Sequence, residues 1–67
     1  MSETMAYTVP GMHCDHCKAS VIEELQAVAG VEAVEVDLER KLVVVRGQGL
    51  DDGRIRAAIA EAGYETA

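Results

Sequence analysis

The sequence predicts an α+β domain of two layers, one sheet covered by two helices. Three observations carry that prediction. Stretches with an apolar residue at every second position are interleaved with stretches of helical apolar spacing. They fall in the order strand–helix–strand, then strand–helix–strand. Glycine, proline or a helix-capping residue marks the changes of period. The chain has 67 residues, which bounds it to a single domain over residues 1–67.

The first strand is predicted over residues 3–9, where Met5, Tyr7 and Val9 share one face and Thr4, Ala6 and Thr8 the other. Pro10-Gly11 ends it, because proline cannot donate to a ladder and glycine favours a turn. A helix is predicted from Asp15 or His16 to about Ala29. Cys17, Val21, Leu25 and Val28 lie at i, i+4, i+8 and i+11, which lays one apolar stripe along it. Glu23 and Glu24 fall off the stripe. Gly30 is placed to cap the helix in the left-handed conformation.

Val34 and Val36 alternate with Glu35 and Asp37, so Val31–Asp37 reads as the second strand. Residues 38–41 form a polar turn. Residues 42–46 are a β-branched run whose unbroken apolar character predicts a central strand. Asp51 is the N-cap of a second helix, with Leu50 and Ile55 at the positions of a hydrophobic staple. Ile55, Ala58, Ile59 and Ala62 make its apolar stripe, and Gly63 ends it. Residues 64–67 are predicted as a short last strand. Two strand–helix–strand units with right-handed crossovers give the split βαβ, or ferredoxin-like, βαββαβ sandwich. This places both helices on one face of a four-stranded antiparallel sheet. Thr4, Ala6, Thr8, Glu35 and Asp37 suit the opposite, wet face.

Composition excludes several function classes. Twelve acidic residues against six basic give a net charge of −6. Nucleic-acid binding rests on lysine and arginine at phosphates, and anionic membranes select the same residues. Neither fits this chain, and no apolar stretch approaches the roughly 18 residues of a membrane span. The acidity suits solubility, or a partner that is locally basic. Residues 1–9 lack a basic segment followed by a long apolar run, so the chain reads as cytoplasmic. No nucleophile–base pair and no phosphate-cradling loop is evident, so the chain does not read as an enzyme.

Both cysteines, Cys14 and Cys17, lie in Gly11-Met12-His13-Cys14-Asp15-His16-Cys17. Their spacing closes too short a loop to staple a fold. In a reducing compartment such a pair points to metal or redox chemistry. Thiolates are soft ligands that select Cu(I), Zn(II) or iron–sulfur clusters. Cys14 falls in the loop and Cys17 in the first helical turn, where the amide groups and the helix dipole favour a thiolate. Zn(II) usually takes four ligands in a tetrahedron, so a bare thiol pair suits Cu(I) better. His13 and His16 are candidate modulators, though zinc sites with two histidines usually draw their pairs from separate segments. His16, between the ligands, is the better placed of the two. Lys18 is a candidate counter-charge for the bis-thiolate centre.

The motif, the Val21, Leu25 and Val28 stripe, the Gly30-Val31 junction and the Ala60-Glu61-Ala62-Gly63-Tyr64 close resemble the heavy-metal-associated domain family. Within it, the chain is most similar to stand-alone bacterial cytosolic copper chaperones. The resemblance implies Cu(I) on Cys14 and Cys17 and no catalysis. It implies delivery to the metal-binding domain of a copper-transporting P-type ATPase, or to a copper-responsive regulator. It places Met12 under the loop as a packing residue and Tyr64 beside the metal. A copper-bridged homodimer is compatible with exposed thiols.

Three alternatives stay open. The chain reads as an excised metal-binding domain of an ATPase, as a Zn(II), Cd(II) or Hg(II) carrier, or as a thiol–disulfide redox protein. A start at Met1-Ser2 and an end soon after Tyr64 favour a complete small protein, and the absence of a leader counts against periplasmic mercury binding.

Overall fold

The computed structural model describes residues 2–66. Their elements run β1 (Glu3–Thr8), α1 (Asp15–Gln26), β2 (Val31–Asp37), β3 (Leu42–Gly47) and α2 (Asp52–Glu61). The strands form one antiparallel sheet in the order β1-β3-β2. The run 42–46, apolar through Val45, therefore lies in the central strand, as its composition predicted. Val43 and Val45 face the helices and are fully buried. Leu42 and Val44 face the other side, half-buried between residues of both neighbouring strands.

The core is aliphatic. Val21 and Leu25 of α1 and Ile55 and Ile59 of α2 meet Val9, Val43 and Val45, with Tyr7 at the margin. Each large aliphatic residue that leaves water contributes roughly 1.5–3 kcal/mol. Thr4, Ala6, Thr8, Glu35 and Asp37 are exposed on the far face. Both helices thus share one face of the sheet.

The last predicted strand differs. Among the described residues there are three strands, not four, and Tyr64, Glu65 and Thr66 stand outside the sheet; residue 67 lies outside the described residues. The physical reason is the helix end. Gly63, at φ +95°, donates to the Ala60 carbonyl at 2.9 Å, and the Tyr64 amide donates to the Ile59 carbonyl at 3.2 Å. This Schellman pair commits the Tyr64 amide to the helix rather than to a ladder.

α1 also ends earlier than its stripe predicts, at Gln26, with Ala27 as C-cap. Val28 still packs on the core from the turn that follows. Gly30 does take a left-handed φ, +89°, but it turns the chain into β2 rather than capping the helix. It also meets β3 at close range. The Gln48 amide donates to the Gly30 carbonyl at 3.0 Å, and a Cβ on Gly47 would collide with that same carbonyl. This crossing coincides with a bulge in β2 between Val31 and Ala33.

Candidate metal centre

The loop between β1 and α1 is held at both ends. The Val9 amide donates to the Lys41 carbonyl at 2.7 Å, extending the β1 pairing past Thr8, and the Met12 amide closes a turn on the Val9 carbonyl at 3.1 Å. Gly11 makes this turn without a left-handed φ: the positive values among the described glycines are at Gly30, Gly49 and Gly63. Met12 then drops its side chain fully into the core. The loop is thereby anchored from below, and the methionine sulfur is kept from the surface.

Cys14 follows as the N-cap of α1, with extended φ −144° and ψ 162°. Its sulfur accepts from the Cys17 amide at 3.3 Å. Cys14 is exposed, and Cys17, packed against the core, is partly buried. Both are free thiols, and their sulfurs are in direct contact. The Cys17 thiol is lowered to about 7, first by the hydrogen bond with Cys14, then by one with Tyr64, with the backbone at His13 and Cys14 adding to these. The Tyr64 hydroxyl is raised to about 12, chiefly by its bond to Cys17. The phenol therefore keeps its proton.

The remaining candidates divide by place. Tyr64 stands against the thiol loop at Gly11. His13 is exposed, and its Nδ1 donates to the Gly11 carbonyl at 2.7 Å, since a carbonyl oxygen can only accept. His16 is exposed on the first turn of α1. Among the described residues, no group of three or more His, Cys, Asp or Glu side chains forms a metal-binding cluster. Lys18 borders a groove with Ile22, Val36 and Asp37 along the β2 edge.

Sequence reasoning missed two contributions. It placed the helix start correctly but not the sulfur cap, because cysteine is outside the usual capping set. It also missed Asp52 and Arg56, which meet Tyr7. The available signal was Tyr7 itself, since a buried tyrosine needs a partner for its hydroxyl.

A thiol pair on a helix-capping loop is the decisive feature, and the sequence matches the heavy-metal-associated domain over residues 6–65. The chain belongs to this family. It is 34% identical over 64 residues to the copper chaperone CopZ of Enterococcus hirae, covering 88% of each chain. It is 35% identical to heavy metal-associated isoprenylated plant protein 31 of Arabidopsis thaliana, covering 94% of this chain but 45% of that protein. It is 34% identical to a segment of a copper-exporting P-type ATPase of Vibrio cholerae, covering 96% of this chain and 7% of the transporter. The chain thus spans less than half the length of these last two. Among solved structures, a CopZ metallochaperone superposes with a TM-score of 0.92 at 30% identity, covering 97% of this chain and all of that one. Among the described residues no helix is long and apolar enough to cross a membrane.

Proposed function

We propose that this heavy-metal-associated domain is a cytoplasmic Cu(I) carrier that binds the ion between Cys14 and Cys17 and passes it on by ligand exchange. The observation that carries the reading is the donor set: two thiols at the surface, one of them lowered to about 7. Two soft donors suit Cu(I) and leave Zn(II) short of its usual four. The similarity to a copper chaperone supports the choice of ion.

Transfer needs an open side. Cys14 is exposed, so an incoming thiolate can reach the ion there. It adds to make a three-coordinate centre, one sulfur of this chain departs and takes up a proton, and the oxidation state does not change. The likeness to a segment of a copper-exporting ATPase supports a related domain as receiver; a copper-responsive regulator is the second receiver of the same chemistry. The same open side admits a thiolate of a second copy, which gives a copper-bridged homodimer. His13 and His16 stay outside the ligand set.

The test is transfer. Loaded protein is mixed anaerobically with the isolated metal-binding domain of a copper-transporting ATPase, and the two are then separated. The reading expects copper on the receiver within the mixing time and none released to solution. Copper that stays on this chain, or that moves only through the free ion, would contradict it.

A further inference from the structure

The segment that carries Tyr64 leaves α2 through Gly63 and, among the described residues, takes no part in the sheet. Beyond the helix cap, a side chain holds it. Arg56 Nη1 donates to Thr66 Oγ1 at 3.3 Å. The same guanidinium donates from Nε to Asp52 Oδ2 at 3.0 Å, and its carbon stands 5.5 Å from the centre of the Tyr7 ring. The Tyr7 hydroxyl donates to the other oxygen, Asp52 Oδ1, at 2.7 Å.

The guanidinium is thus fixed by a carboxylate and an aromatic face before it reaches Thr66. A planar fork held in this way loses little freedom on making one more hydrogen bond. On the other side of the segment, Tyr64 lies against the thiol loop. A Cβ added to Gly11 would sit 3.8 Å from Tyr64 Cδ1, and the two residues line one groove with Pro10, Gly63 and Thr66. Tyr64 and Thr66 are therefore gripped two residues apart, one by the loop and one by Arg56.

We propose that Arg56 is a positioning residue for the thiol site: through Thr66 it holds the C-terminal segment so that Tyr64 stays against Gly11 of the thiol loop. The consequence for copper rests on the function proposed above; the placement of Tyr64 does not.

The experiment uses the full chain with Thr66→Val, Thr66→Ser and Arg56→Gln. In the apo protein, the NMR cross-peak between the Tyr64 ring and the Gly11 α-protons reads the position of the ring. The rate at which excess chelator strips Cu(I) reads the consequence. A Tyr7–Val43 cross-peak, from residues paired across β1 and β3, reports that the fold is intact. Thr66→Val and Arg56→Gln are each expected to weaken the Tyr64–Gly11 cross-peak and to release Cu(I) roughly two- to fivefold faster, the scale of one partly exposed hydrogen bond. Thr66→Ser, which keeps the hydroxyl, is expected to restore both. An unchanged cross-peak in Thr66→Val overturns the proposal, as does a Thr66→Ser protein that behaves like Thr66→Val. A cross-peak lost with unchanged copper release also overturns it, by severing Arg56 from the site. A wild-type chain that holds no Cu(I) would instead contradict the proposed function, and the apo cross-peak would still decide the role of Arg56.

Discussion

The amide of Cys17 donates to the sulfur of Cys14 across 3.3 Å, so one proposed metal ligand caps the helix that carries the other. Site and fold are joined at this bond, and the two can be separated by substitution. Cys14→Ser replaces the sulfur with a side chain that caps well, so unfolding stability is expected to stay within about 0.5 kcal/mol of wild type while Cu(I) binding is lost. Cys14→Ala removes the cap as well and is expected to cost about 1 kcal/mol. Denaturant titration of both variants checks the contrast.

Cys17 reacts as a thiolate, so its alkylation rate follows its ionisation. The midpoint is expected near pH 7, against an ordinary value of 9.0. Tyr64→Phe removes one of the hydrogen bonds that lower it, and its midpoint is expected to move upward. The linkage to stability has the matching sign. Because folding depresses this pKa, the thiolate's contribution is complete above about pH 9 and is lost as pH falls through about 7. Rates of iodoacetamide labelling between pH 5 and 10, read by mass spectrometry, test both statements.

Tyr7 donates to Asp52 at 2.7 Å from a buried ring. That bond is the leading reason the Asp52 carboxyl is lowered; burial first, and then the same bond, push the Tyr7 hydroxyl up to about 12. Tyr7→Phe keeps the ring and deletes the donor, so it is expected to destabilise the domain by about 0.5–1.5 kcal/mol at neutral pH. Thermal unfolding measures this. An unchanged melting temperature would mean that water serves Asp52 equally well.

Gly47 and Gly30 cross with no space for a side chain between them. Gly47→Ala is expected to be destabilising by on the order of 2 kcal/mol or more, because the obstacle is backbone rather than a flexible side chain. Gly11→Ala makes the useful contrast. Its added carbon would meet Tyr64 at ordinary contact distance, 3.8 Å, so its stability is expected to stay close to wild type.

Much of this molecule is legible in the sequence because its signals are local. Val34 and Val36 alternate with acidic residues, and β2 follows the alternation over Val31–Asp37. Asp51 caps α2 by accepting from the Arg54 amide at 3.2 Å, with Leu50 packed on the core beside buried Ile55. The heptapeptide from Gly11 to Cys17 marks the loop for the same reason. What escaped the sequence depends on partners distant along the chain. Nothing near Tyr7 shows that Asp52 lies across from it, and nothing near Gly47 shows that Gly30 passes against it. The end of the chain misled for another reason: Tyr64 has the composition of a strand residue, but Gly63 turns its amide back into the helix.

The central claim is that Cys14 and Cys17 form a Cu(I) site. It is tested most directly by an anaerobic competition titration of the reduced protein against a coloured Cu(I) chelator, with Zn(II) in parallel and a Cys14→Ser, Cys17→Ser control. Tight binding of one Cu(I) per chain, lost in the control and far stronger than Zn(II) binding, is the expected result. Zn(II) binding stronger than Cu(I), or Cu(I) binding that survives loss of both thiols, would contradict it.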